Sequence, residues 1–113
     1  MNDKGMLLHV SGADAAHIQA GIRAALNARA QLPGVSLELV VQGPCVAFLE
    51  AGSVLESELA ALGGEQVPVL ACSNSMRSVG LEADQLHARV GTVPAAVAYL
   101  AARQFAGWAY VRV

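Results

Sequence analysis

The sequence has few charged residues. Asp, Glu, Lys and Arg make up 14% of the 113 residues, whereas apolar residues make up 55%; typical globular domains have about 25% and roughly 45–50%. A small domain exposes a large share of its surface, so we expect other copies of the chain to cover part of the apolar surface. The alternative is an alanine-rich monomer, because alanine raises the apolar count without requiring burial.

Basic clusters and long apolar runs are also missing. The net charge is −2 and the charges of both signs are interspersed, which argues against nucleic acids and anionic membranes as partners. No apolar run reaches the ~18 residues of a membrane-spanning helix. The apolar run at residues 6–10 is too short for the core of a signal peptide. We therefore expect one domain, residues 1–113, with a cytoplasmic location.

Cysteine is scarce, and Cys45 and Cys72 are the two in the chain. In the cytoplasm both are expected to be free thiols. The sequence has no Cys-x-x-Cys and no His-x-x-x-His, so it does not predict a metal site. Glycine-rich nucleotide motifs, Gly-x-Ser-x-Gly and paired carboxylates at strand ends are absent too. The sequence therefore predicts no cofactor and argues against the common hydrolase chemistries.

Short apolar segments alternate with helical patterns along the chain. Strands are predicted at residues 6–10, 35–42, 67–72, 86–90 and 108–113. The last of these alternates polar and apolar residues, as a half-exposed edge strand does. Strands that alternate with helices predict an α/β fold, with a parallel sheet, helices on both faces and right-handed crossovers.

The helical segments are predicted from apolar spacing and end signals. The first runs from Ala15 to about Gln31, with Ile18, Ile22 and Leu26 as its buried stripe. A short helix is predicted at residues 45–51, and a second one follows the Ser-x-x-Glu capping box at residues 53–56. The last helix is predicted to start within residues 91–94. Its expected core positions are Val97, Leu100 and Ala101.

One stretch combines a strand end with reactive chemistry. The apolar run 67–72 ends on Cys72 and continues into Ser73, Asn74 and Ser75, which are all good N-cap residues. Strand ends and helix N-termini form the usual ligand crevice of open α/β sheets. Unpaired N–H groups there favour a thiolate, and Arg77 could add positive charge. We predict a reactive or sulfur-handling thiol at Cys72; a small buried core residue is the alternative.

Cys45 and His9 also lie near predicted strand ends. Cys45 follows a Gly-Pro turn, but apolar residues come after it, so core packing is the better interpretation. His9 is expected at the same sheet edge as Cys72. It could lower the pKa of that thiol or relay a proton, or it could simply be hydrogen-bonded. His17 and His87 are predicted to lie on the surface.

Four segments, in this order, resemble the DsrE/DsrF-like family. They are Leu-Leu-His-Val-Ser at 7–11, Val-Gln-Gly-Pro at 41–44, Ala-Cys-Ser-Asn-Ser-Met at 71–76 and Gly-Trp-Ala-Tyr-Val at 107–111. Small members of that family pair an Asn-Gly-Pro-like turn after strand two with an Ala-Cys-x-Asn-Thr motif after strand three. Here Gln42 replaces the commoner asparagine and Ser75 the commoner threonine, and both remain polar.

The resemblance implies a three-layer α/β/α sandwich around a five-stranded parallel sheet with strand order 4-3-2-1-5. It also implies a homotrimer or homohexamer. In the better-known members a cysteine at the position of Cys72 carries sulfur as a persulfide, in sulfur oxidation or in relay to transfer-RNA thiolation. With this strand order, His9 would lie two strand spacings, about 10 Å, from Cys72, which is too far for direct contact.

The leading hypothesis is therefore a cytoplasmic, homo-oligomeric sulfur carrier, with a protein donor or acceptor of sulfur as a possible partner. Cys72 would hold the sulfur. The residues expected around it are Ser73, Asn74, Gln42, Gly43, His9 and Arg77. The alternative is a non-catalytic oligomeric module in which Cys72 only packs and the crevice holds a small ligand.

Overall fold

The fold is built on five parallel strands. A computed structural model describes residues 4–113, and its sheet has the strand order β4-β3-β2-β1-β5. The strands are β1 Gly5–Ser11, β2 Ser36–Gln42, β3 Val69–Cys72, β4 Val90–Val93 and β5 Ala109–Arg112. The helices are α1 Ala15–Gln31, α2 Glu56–Gly64, α3 Ser73–Val79 and α4 Ala96–Phe105. The predicted α/β sandwich and its strand order are confirmed.

The two faces of the sheet are covered unequally. On one face the buried side chains of alternate strand residues, such as Leu8, Leu39 and Val69, pack against the helical segments before β4. On the other face, within residues 4–113, the packing cluster takes its helical residues from α4, which runs from one sheet edge to the other between β4 and β5. The members of this second cluster are Leu7, Val40, Cys72, Ala96 and Leu100. Cys72 therefore lies under a single helix.

Helix α1 buries a different stripe from the predicted one. Ile18 and Ile22 are buried as expected, but Leu26 is 36% exposed and Ala25 takes the inward position. An α-helix has 3.6 residues per turn, so a residue eight positions later lies about 80° round the helix from the first. Residues spaced four apart therefore drift off the buried face. Gly21 completes the stripe, because a Cβ there would lie 2.4 Å from Val10 Cγ2.

The fourth strand lies later than predicted. Residues 86–90 were expected to form it, but β4 is Val90–Val93, so residues assigned to the start of the last helix belong to the sheet. Leu86 instead follows a 3₁₀ turn at Ala83–Gln85 and forms an isolated bridge with Glu50. His87, predicted on the surface, is buried, and its Nε2 lies 2.9 Å from a Glu56 carboxylate oxygen. Leu86 and His87 are therefore buried against the segment after β2, and they do not extend the sheet.

Two further expectations needed correction. The segment after β2 is a 3₁₀ helix at Pro44–Leu49 instead of a helix at residues 45–51. In α4, Ala96 and Leu100 face the sheet one turn apart, whereas Val97 is 70% exposed because it lies about 100° further round the helix. Ala101 is half-buried. Among residues 4–113, no helix has both the length and the apolar character required to cross a lipid bilayer.

Candidate functional site

Cys72 is the last residue of β3 and the residue directly before α3. Its side chain projects toward α4, among Leu7, Val40 and Leu100, and the residue is 2% exposed. The apolar run of β3 forms a strand because it is paired on both sides, to β2 and to β4. A sulfur at this strand end is therefore held in a fixed place beneath the first turn of α4.

Several hydrogen-bond donors are directed at this sulfur. Burial by itself would raise the pKa of the Cys72 thiol, but the backbone N–H groups of Ala96, Ser75 and Asn74 and the Ser75 hydroxyl together outweigh it. The Ala96 N–H lies 3.4 Å from Cys72 Sγ. The pKa of Cys72 is therefore lower than its ordinary value, because these donors stabilise the thiolate more than the apolar surroundings disfavour it.

Ser75 links the thiol to the turn after β2. Its Oγ accepts a hydrogen bond from the Gly43 N–H at 2.8 Å, which leaves its hydroxyl hydrogen free to point at Cys72. Gly43 has a φ of 87°, and a Cβ there would lie 3.0 Å from the Gly12 carbonyl oxygen, so glycine suits this turn. Gly43 therefore contributes by positioning Ser75.

Sequence reasoning did not place Ser75 or Ala96 among the residues around the thiol. Ser75 was recognised as an N-cap residue and as part of a motif. Its spacing was the missing clue: the N–H groups two and three residues after an N-cap point back toward it, and Cys72 occupies the N-cap of α3. Two signals could have placed Ala96 near the thiol. It follows the helix-start signal Pro94, and the 4-3-2-1-5 order puts β4, the strand before this helix, next to β3.

Asn74 and Arg77 lie on the surface side of α3. Both are exposed, and an Arg77 guanidinium nitrogen donates to the Asn74 side-chain oxygen. Arg77 and the half-buried Ser73 line an open cavity of about 260 Å³. The side chains of Asn74 and Arg77 thus bond to each other. The donors directed at Cys72 are instead backbone N–H groups and the Ser75 hydroxyl.

His9 and Gln42 form a separate polar cluster with Tyr110. His9 is 8% exposed, and its two ring nitrogens lie 2.7 Å from the Tyr110 hydroxyl and 2.9 Å from Gln42 Oε1. His9 is thus hydrogen-bonded on both sides and contacts Gln42, which lies on the strand between it and Cys72. A groove of about 330 Å³ runs above the cluster. Its lining residues are His9, Gln42, Val97, Leu100, Ala101, Gln104 and Tyr110.

Cys45 has the opposite environment. It is fully buried in the larger core, and its Sγ donates to the Gln42 carbonyl oxygen at 3.4 Å. Burial is the main cause that raises the pKa of Cys45 above its ordinary value, and Asp14 adds to it. Both cysteines are free thiols. Within residues 4–113, no three His, Cys, Asp or Glu side chains gather in a way that could hold a metal ion.

The fold has solved relatives. The chain is similar to MTH1491 from Methanobacterium thermoautotrophicum, a protein of unknown function, with 29% sequence identity and a TM-score of 0.89 over 99% of this chain and 100% of that one. It is also similar in fold to the ychN protein from E. coli, with 18% identity and a TM-score of 0.78 over the full length of both. No family model matches the sequence, and no curated protein does either. The likeness to solved structures therefore extends over the whole sandwich, including the strand end that carries Cys72.

Proposed function

We propose that this chain is a DsrE/DsrF-like sulfur carrier that holds sulfur as a persulfide on Cys72. The observation that supports this most is the set of donors around one thiol: three backbone N–H groups and a hydroxyl lower the pKa of Cys72, although the residue is buried. A thiolate is the form that attacks sulfur. The family resemblance of the motif at residues 71–76 agrees with this role.

The proposed step exchanges one S–S bond for another. The Cys72 thiolate attacks the terminal sulfur of a donor persulfide, R–S–SH. The bond between Cys72 Sγ and that sulfur forms, the S–S bond of the donor breaks, and the donor leaves as the thiolate R–S⁻. The proton stays on the transferred sulfur, so no external oxidant or reductant is required. The reverse step passes the sulfur to an acceptor thiolate.

Mass spectrometry tests this function. After incubation with glutathione persulfide, the peptide that contains Cys72 should gain about 32 Da, the mass of one sulfur atom. The Cys45→Ser variant should gain the same mass, and Cys72→Ser should not. Sulfur found on Cys45 instead, or on neither cysteine, would contradict the proposal.

A second candidate is a non-catalytic binding module. Cys72 is 2% exposed and packs against apolar side chains, as a structural cysteine does, while the groove lined by its neighbour Leu100 and by Gln42 is large enough for a small ligand. In that case both cysteines should react slowly and at similar rates with thiol reagents. A faster reaction at Cys72 than at Cys45 supports the carrier function.

We also propose that the carrier works as a cytoplasmic homotrimer or homohexamer. Apolar side chains are exposed on the outer side of α4, where Val97 is 70% and Phe105 is 89% exposed. The edge strand β5 adds the partly exposed Tyr110 and Val111. Covering these residues with other copies would remove apolar surface from water. Size exclusion with light scattering should give three or six times the 11.6 kDa chain mass; a monomer would contradict this.

A further inference from the structure

The sulfur-transfer step does not use the polar cluster of His9, Gln42 and Tyr110. The cluster nevertheless lies on the same sheet face as Cys72. Val40 and Leu70 are register partners on this face, and one more pair of positions along the two strands puts Gln42 level with Cys72. Neighbouring strands are about 4.8 Å apart. The Gln42 side chain therefore starts beside the thiol, on the strand next to it.

The cluster fixes the direction of the Gln42 amide. Gln42 Oε1 faces His9 Nε2 at 2.9 Å, and because an amide oxygen can only accept, this contact is a hydrogen bond in the tautomer that carries the ring proton on Nε2. His9 Nδ1 is then the acceptor for the Tyr110 hydroxyl at 2.7 Å. Since the amide oxygen is turned to His9, the NH₂ group on the same carbon is turned away from it. Among residues 4–113, no hydrogen bond from this NH₂ group is formed, and no buried polar side-chain atom is left unpaired, so the group reaches the groove.

The Cys72 thiolate already has its donors. They belong to Ala96, Ser75 and Asn74, and Gln42 is not one of them. A persulfide places a second sulfur about 2.05 Å beyond the first. Once it has released its proton to solvent, that terminal sulfur carries the negative charge of the persulfide anion and needs a donor of its own, because a charged atom in an apolar site is costly without one.

We propose that the Gln42 amide donates a hydrogen bond to the terminal sulfur of the Cys72 persulfide, and that His9 and Tyr110 are positioning residues that hold the amide in this orientation. This inference rests on the proposed sulfur-carrier function and adds to it a residue that acts only after sulfur has been loaded. It explains why a buried histidine is bonded on both sides without contacting the thiol.

The test measures the equilibrium constant for persulfide formation on Cys72 at fixed glutathione persulfide and glutathione. Gln42→Met, which keeps an unbranched side chain without an N–H, should lower it about tenfold, the loss expected for one hydrogen bond to a charged atom. Gln42→Glu should lower it further by repulsion. Tyr110→Phe should lower it about threefold, because the amide remains but is less well held. Tyr99→Phe, a matched change on the same sheet face that removes a bond to Glu38, should have no effect.

Two further readouts separate the outcomes. The thiol pKa of unloaded Cys72 should be unchanged in Gln42→Met, and nitrogen NMR should show His9 protonated on Nε2. A wild-type protein that never takes up sulfur overturns the carrier function together with this inference. A wild type that loads while Gln42→Met loads equally well overturns the inference alone. A His9 proton on Nδ1 also overturns it, because the NH₂ group of Gln42 would then face His9.

Discussion

The two cysteines of this chain lie at equivalent places but differ in chemical environment. Cys72 ends β3 and Cys45 lies three residues after the end of β2, so both are at the carboxyl edge of the sheet, and both are buried. Cys72 Sγ accepts a hydrogen bond from the Ala96 N–H, whereas Cys45 Sγ donates its proton to the Gln42 carbonyl oxygen. The pKa of Cys72 is accordingly lowered and that of Cys45 raised. Burial raises and backbone N–H groups lower the pKa of both thiols, but only at Cys72, where the Ser75 hydroxyl is a further donor, do the donors outweigh burial.

The largest expected difference is in reactivity. At pH 7.5, iodoacetamide should modify Cys72 at least about tenfold faster than Cys45, since the thiolate is the reactive form and a pKa difference of one unit changes its population about tenfold. Peptide mass spectrometry of a time course measures both rates in one sample. Cys45→Ser and Cys72→Ser assign each rate to its residue. Equal and slow modification of both cysteines would remove the distinction.

The two thiols should also affect stability with opposite signs as pH rises. The native pKa of Cys72 lies below its unfolded value of about 8.5, so between these two pKa values the unfolded state binds more protons and stability rises with pH. The native pKa of Cys45 lies above its unfolded value, so stability falls as pH rises beyond about 8.5. Each effect reaches about 1.4 kcal/mol for each unit by which native and unfolded pKa differ.

Urea unfolding between pH 6 and 10 measures these two slopes. Cys45→Ser retains the thiol of Cys72, Cys72→Ser retains that of Cys45, and the double variant supplies the baseline, which includes other groups such as Tyr99 that titrate at high pH. The free energy of unfolding relative to this baseline should rise with pH in the first variant and fall in the second. The same sign in both variants would show that the environments are not opposed.

The Ser75 hydroxyl is the side-chain donor that Cys72 has and Cys45 lacks. Ser75→Ala removes a hydroxyl donor from Cys72 and leaves the Gly43 N–H without its acceptor. The pKa of Cys72 should rise, its alkylation at pH 7.5 should slow by about threefold, and unfolding should cost about 1 kcal/mol less. Ser75→Thr keeps the hydroxyl and should restore both properties. Cys45 alkylation should not change, and an equal slowing at Cys45 would indicate general disruption.

The sequence predicted the position of the thiol better than its surroundings. The alternation of apolar and helical segments indicates a parallel sheet, and the run that ends at Cys72 marks a strand end. The strand order came from the family resemblance. The donor from Ala96 depends on how α4 crosses the sheet, a tertiary relation that spacing along the chain does not encode. Likewise β4 was misplaced, because its Gly91 and Thr92 are exposed and are held by backbone pairing to β3, which leaves no apolar pattern.

The smallest expected effect is that of removing the unreactive thiol. Cys45→Ala deletes one buried sulfur from the larger core, so it should lower the free energy of unfolding by about 1 kcal/mol, as other small core deletions do. Cys45 Sγ donates to the Gln42 carbonyl and not to its side chain; the Gln42 amide and the donors around Cys72 therefore stay in place. Cys72 alkylation should remain within about twofold of the wild-type rate, because the two sulfurs belong to different packing clusters and share no hydrogen-bond partner among residues 4–113. A larger change at Cys72, measured in the same time course, would mean that the turn after β2 couples the two thiols, and the contrast between them would then be a property of one shared turn.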